Sequence, residues 1–265
     1  MGAVIGTQLF TVRSYCKTPE DLEKTLERIA EMGYKAVQLS AICECDPVWL
    51  KGVLDHLGLV VPLTHTAPKL LIERTDAVIE AHKVLGAHYV GIGSAPGIFQ
   101  KPEGIKPLDE IFDAFIENYT PVIERIKAAG LRFCFHHHDR EFARLSNGRL
   151  FLEALCQHFA PEEINVTADT YWIQAGGADP AAWLRKWNGR IKCIHFKDMA
   201  FSTEDQKVRF APIGEGNLNW DAIFATVAEC DVDYAFVEQD NCYGEDPFDC
   251  LEKSLKFIRA NGFTN

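Results

Sequence analysis

Hydrophobic and polar positions along this chain repeat as one unit: an amphipathic stretch, a glycine, then a short apolar run ending in polar residues. In the first copy Leu22, Leu26, Ile29 and Met32 line one face of a helix. Thr18 can cap its start, Pro19 fits the first helical position, and Glu20 and Asp21 suit the positive end of the helix dipole. Gly33 ends it, and residues 36–39 read as a strand. The same grammar returns at Gly58 before residues 60–65, at Gly86 before 88–92 and at Gly130 before 131–136. Runs at 4–9, 164–168, 191–196 and 234–238 bring the strands to eight, each followed by a helical stretch, the last over 247–260.

Strict alternation of strand and helix predicts a single (β/α)8 TIM barrel, with a doubly wound open sheet as the alternative. No linker, low-complexity tract or shift in composition divides residues 1–265, so one domain is expected. Pro62 has no N–H for a ladder and is expected near a strand end or at a bulge.

Parity along the strands then selects candidate chemistry, because barrel enzymes place it at the C-terminal strand ends, facing the axis. In residues 132–138 the two phenylalanines, Phe133 and Phe135, face the helices; Cys134, His136 and His138 face the axis, and His137 turns away. The same reasoning sends Val166 and Ala168 out and Asp169 in. Ile194 and Phe196 go out, His195 and Lys197 in; Val237 goes out and Glu238 in. Four successive strands thus end in His136 or His138, Asp169, His195 and Glu238. Such a mixed set suits one divalent ion, Mn2+, Zn2+, Co2+ or Mg2+, without choosing among them. Each residue also has a plainer role open to it, such as Asp169 capping the helix after it. Gln8, Gln38 and His65, near the ends of strands one to three, are weaker candidates for binding sugar hydroxyls.

Composition trims the alternatives. Net charge is -11, which argues against nucleic-acid or anionic-membrane partners. Nine cysteines fit no zinc spacing, and no secretory signal or membrane span is read, so a cytoplasmic protein with free thiols is expected. No dinucleotide fingerprint or phosphate loop occurs; Gly214-Glu215-Gly216 reads as a tight loop bringing backbone close to substrate.

These residues also carry a resemblance. Gly6-Thr7-Gln8-Leu9-Phe10-Thr11-Val12-Arg13, His136-His137-His138-Asp139-Arg140-Glu141-Phe142, Asp169-Thr170-Tyr171-Trp172, His195-Phe196-Lys197-Asp198, Gly214-Glu215-Gly216 and Val237-Glu238-Gln239-Asp240 resemble, in order, motifs of the xylose-isomerase-like sugar phosphate isomerases and epimerases. The resemblance implies a barrel with one divalent metal, held by a strand-five residue together with Asp169, His195 and Glu238. Trp172, in the third motif, joins the expected substrate contacts. In the family's ketose epimerases strands five and eight each supply a glutamate; here strand five has His136, as in the histidine-rich strand five of inosose dehydratases. The expected activity is therefore isomerisation or epimerisation of a keto-sugar through a metal-stabilised enediolate, with a lyase or dehydratase on a keto-sugar, inosose or 3-keto-glycoside as the rival. A non-catalytic sugar-binding barrel is a more remote third reading, and a homo-oligomer stays open. Glu238 is the expected base, with His136, His138 or Lys197 returning the proton. Lys197 is expected to touch substrate, and burial beside a cation to lower its pKa.

Overall fold

The computed structural model of the protein describes residues 2–100 and 104–263. All eight expected strands are there, parallel, in a nearly closed barrel: β1 (Val4–Gln8), β2 (Ala36–Gln38), β3 (Leu63–His65), β4 (Tyr89–Ile92), β5 (Arg132–His136), β6 (Ile164–Asp169), β7 (Cys193–Phe196) and, after a hairpin of β8 (Asp198–Ser202) and β9 (Lys207–Ala211), β10 (Tyr234–Val237). Hydrogen-bonded neighbours run β2-β1-β10-β7-β6-β5-β4-β3. Isolated bridges, Ala36 to Val60 and Leu39 to Thr64, join β2 to β3 and close the ring.

That seam is thin because of Pro62. Val60 N donates to Lys35 O and His65 N to Leu39 O, so both residues face β2 although they are five apart. Residues on one side of a regular strand differ by an even number, so one extra residue lies between them. Pro62, with no N–H to give, sits in that bulge and offers only its carbonyl, to His88 N and Tyr89 N.

Among the described residues ten helices wrap the barrel: α1 (Pro19–Met32), α2 (Pro47–Leu57), α3 (Pro68–Glu73), α4 (Thr75–Leu85), α5 (Leu108–Ala128), α6 (Phe151–His158), α7 (Thr170–Ala175), α8 (Pro180–Lys186), α9 (Trp220–Glu229) and α10 (Pro247–Ala260). The first starts as its sequence dictates: Thr18 Oγ1 accepts from Asp21 N at 3.1 Å, and Gly33 closes it at φ +98°. Strand parity sorts the core into two bodies. Phe133, Phe135, Val166, Ala168, Ile194, Phe196 and Val237 lie in the shell under the helices. Ala36, Leu63, Tyr89, Cys134, Cys193 and Phe236 fill the barrel interior. All nine cysteines are free, and among the described residues no helix is long and apolar enough to cross a membrane.

The hairpin is an addition that the strand pattern did not predict. Only Lys197 separates β7 from β8, and the buried Asp198 carboxylate organises the chain from Met199 to Trp220. It accepts from the backbone N–H of Met199, Gly214, Gly216 and Leu218 and from Trp220 Nε1, at 2.7–3.3 Å. A Cβ at Gly216 would lie 2.4 Å from Asp198 Oδ1, and Gly214, at φ +89°, abuts Phe257. The Gly214–Gly216 loop is therefore tight for the sake of Asp198 and α10.

Candidate metal centre at the barrel mouth

Asp169 ends β6 and uses its two oxygens differently. Oδ1 accepts from Trp172 N at 3.1 Å and caps α7. Oδ2 faces the axis, 3.3 Å from His136 Nε2, 3.6 Å from His195 Nδ1 and 3.3 Å from Lys197 Nζ. Backbone support comes from His137, whose Nε2 accepts the Asp169 N–H at 3.2 Å. His137 thus serves from the shell, where Phe142 and Trp187 flank it.

Acceptors behind the two inward imidazoles decide which nitrogens carry hydrogen. His136 Nδ1 lies 2.9 Å from Gly93 O, a peptide carbonyl that can only accept, so Nε2 turns a lone pair inward. His195 Nε2 lies 2.7 Å from Gln38 Oε1, which leaves Nδ1 as the inward lone pair. That Nδ1 is 2.9 Å from Glu238 Oε2, an oxygen that also meets the Lys197 ammonium at 3.0 Å, and no hydrogen bond joins the two acceptors. Ligand atoms of His136, Asp169, His195 and Glu238 all lie within 4.8 Å of one another, and all four residues are buried.

Lone pairs facing each other in a buried site repel unless a cation lies between them. Charge gives the same answer. Asp169, Glu238 and Asp240 surround one ammonium, Lys197 Nζ, at 3.3, 3.0 and 2.8 Å, so two negative charges are left uncompensated. The donor set and the charge both fit a divalent ion.

Burial works against every charge here, and partners decide the outcome. Burial alone would raise Asp169 and Glu238, but Lys197 and the imidazoles hold both carboxyls well below the usual range. Burial would lower His195, but Glu238 and Asp169 outweigh it and raise it; for His136 burial wins. Burial likewise opposes the Lys197 ammonium, and Asp169, Glu238 and Asp240 together overcome it and push its pKa up. The expected lowering is thus corrected: three carboxylates within 3.3 Å outweigh desolvation. Asp240 is pushed up to about 6 by burial, against the pull of Lys197.

The remaining expected residues form a ring around this cluster. His138 stands outside the ligand set, its ring 4.9 Å from Trp172 and 4.7 Å from Phe99. His65 lies 5.2 Å from the His136 ring and 5.5 Å from that of His195. Gln8 uses Oε1 to accept from Phe10 N at 2.7 Å and caps the 3-10 segment Leu9–Tyr15. Of ten buried side-chain polar atoms without a hydrogen bond among the described residues, seven belong to this mouth: Gln38 Nε2, His65 Nε2, His138 Nδ1, Trp172 Nε1 and His195 Nδ1, together with Glu238 Oε2 and Asp240 Oδ1, which are ion-paired with Lys197. Asp240, which the sequence offers in the last motif and as a salt-bridge partner for Lys197, was not placed among the ligand or substrate residues, although its parity, two beyond Glu238, was a usable signal. Gly93 gave none, since it acts through a carbonyl every residue has.

A (β/α)8 barrel with imidazoles and carboxylates converging at the C-terminal strand ends is a recurrent class of metal-site scaffold. Within that class, a family model described as "Xylose isomerase-like TIM barrel" matches residues 26–261, and the chain belongs to this family. It is 22% identical to an inosose dehydratase of Lacticaseibacillus casei over 268 residues, covering 90% of this chain and 89% of that protein. A solved sugar phosphate isomerase/epimerase from Parabacteroides distasonis superposes with a TM-score of 0.81 at 21% identity, covering 100% of this chain and 96% of the other. A solved L-ribulose 3-epimerase gives 0.74 at 18% identity, covering 97% and 94%.

Proposed function

We propose that the protein is a divalent-metal-dependent enzyme that removes the α-proton of a polyhydroxy ketone and expels the β-hydroxyl as water. The observation that carries this reading is the concentration of unpartnered buried polar atoms at one barrel mouth. Buried polar groups are left without partners at a cost of ~1–3 kcal/mol each, and a ligand rich in hydroxyls would satisfy them.

A divalent ion held by His136, Asp169, His195 and Glu238 supplies Lewis-acid polarisation of a ketone oxygen. Glu238 takes the α-proton. Lys197 stays charged through the neutral range, hydrogen-bonds the departing β-oxygen and passes it a proton as the C–O bond breaks. Glu238 then returns its proton to Lys197 across the 3.0 Å between them, and the site is restored. Base and acid stand together, so proton removal and delivery occur on one side of the substrate. His136 on strand five, where the family's ketose epimerases have a glutamate, and the resemblance to an inosose dehydratase support elimination.

Aldose–ketose isomerisation is the second reading, supported by the same one-sided pair, since a cis-enediol also exchanges its proton on one face. Epimerisation asks for a second proton donor on the opposite face, and His136, an expected donor, is one of the four residues that would hold the ion. The test is to load the protein with Mn2+ and incubate inosose, ketohexoses and 3-keto-glycosides in D2O. Deuterium exchange with water loss from a cyclic ketone is expected, and Asp169→Ala should abolish both metal uptake and exchange. Absence of exchange with every ketone at full metal occupancy would overturn the reading.

A further inference from the structure

We propose that Gln38 is a positioning residue for the metal: by accepting the Nε2–H of His195 it fixes the imidazole in the one tautomer that presents Nδ1 to Asp169 and Glu238. The proposal deepens the metal reading above and rests on it for its affinity arm. Gln38 ends β2 and His195 lies on β7, three strands round the barrel, so their 2.7 Å bond crosses the mouth. Both side chains are fully buried.

The amide has two ways to sit, and they have opposite consequences. With Oε1 on His195, Nδ1 keeps its lone pair, and Gln38 Nε2 is left as a buried donor without a partner. With the amide turned over, Nε2–H2 would donate to His195 Nε2. The ring hydrogen would then move to Nδ1, onto Glu238 Oε2, and no lone pair would remain for an ion. The first arrangement also gives Gln38 a second task, since its free amide N–H is available to a substrate oxygen. A shorter side chain at the end of β2 would not span the mouth, and an apolar one would leave both tautomers open.

The test compares Gln38→Glu, which can accept but not donate, with Gln38→Met, which does neither. Co2+ is titrated into each by its visible absorption, with circular dichroism confirming the fold. Gln38→Met should bind Co2+ about 10–100-fold more weakly than the native protein. Gln38→Glu should stay within about threefold of native, or bind more tightly for its added charge. Equal affinity in Gln38→Met, or Gln38→Glu as weak as Gln38→Met, overturns the proposal. The bond itself is read separately in Zn2+-loaded protein by 1H–15N spectra of histidine. A slowly exchanging, downfield Nε2–H of His195 is expected in the native and Gln38→Glu proteins and its loss or fast exchange in Gln38→Met; the same signal in all three overturns the proposal. If the native protein takes up neither Co2+ nor Zn2+, the metal reading fails, whereas native uptake with Gln38→Met unchanged fails the proposal alone.

Discussion

Two layers of side chains share the barrel axis and differ in almost everything else. The lower layer includes Ala36, Leu63, Cys134, Cys193 and Phe236, buried and apolar. Two residues further along the same strands stand Gln38, His65, His136, His195 and Glu238. The step from one layer to the next is about 6.6 Å of strand. Below, every neighbour fills space; above, Gln38 Nε2, His65 Nε2, His138 Nδ1, Trp172 Nε1 and His195 Nδ1 have no hydrogen-bond partner. Close packing needs only volume, and strands that leave a polar residue two positions above an apolar one keep stability and chemistry on the same scaffold without mixing them.

Substitutions should separate the layers cleanly. The largest effect is expected from Glu238→Gln, which removes the proposed base while Lys197 keeps Asp169 and Asp240 as partners. Deuterium exchange of a bound ketone should fall about a thousandfold with the melting temperature nearly held. Exchange within tenfold of native would place the base elsewhere.

Leu63→Ala tests the lower layer, two residues below His65. The cavity should cost about 2–5 kcal/mol in denaturant unfolding, while the rate per folded molecule stays within a few-fold of native. A large fall in rate at unchanged stability would show that the layers are not separable. Lys197→Met lies between the two outcomes. Its rate should drop about a hundredfold through loss of one charged donor. The metal-free variant should also melt lower, because Asp169, Glu238 and Asp240 would be left facing one another, and added Mn2+ should restore it. An unchanged rate would make Lys197 a charge-balancing residue only.

The contrast between layers was largely legible in the sequence because parity is a local property. Phe133 and Phe135 against Cys134 and His136, or Ile194 and Phe196 against His195, can be read from alternation alone. The groups behind the site could not be read that way. Gly93 acts through its carbonyl, Gln38 reaches His195 from 157 positions away, and His137 supports Asp169 from the shell. The hairpin was a different kind of omission. Met199 and Phe201 alternate toward one face and pair with Phe210 and Val208 across a polar turn, a strand signal visible in the sequence. Its nearness to β7, with a single residue between, hid it inside the preceding strand's expected loop.

Glu141 offers the smallest effect and a test of how far the mouth's polarity extends. It is fully buried just beyond β5 and is not one of the metal ligands; Oε2 accepts from His138 N at 2.8 Å, while Oε1 has no partner. Burial pushes its pKa up to about 7, against the pull of the backbone amides of His138, Glu141 and Ala95, from an ordinary value of 4.5. Between those two pH values the folded chain keeps a proton that the unfolded chain has released. Stability from this group is therefore full below about 4.5 and falls as pH rises to about 7, by about 3 kcal/mol in all. Glu141→Gln has no proton to lose and keeps an oxygen for His138 N. Its stability should not share that decline, so that it overtakes the native protein above neutral pH, while the rate of ketone exchange changes by less than about threefold. Urea unfolding of both proteins from pH 5 to 8 measures the difference directly. Parallel curves would mean that Glu141 is ionised in the folded chain throughout, and that the polar layer reaches past the ligands into the loop behind His138.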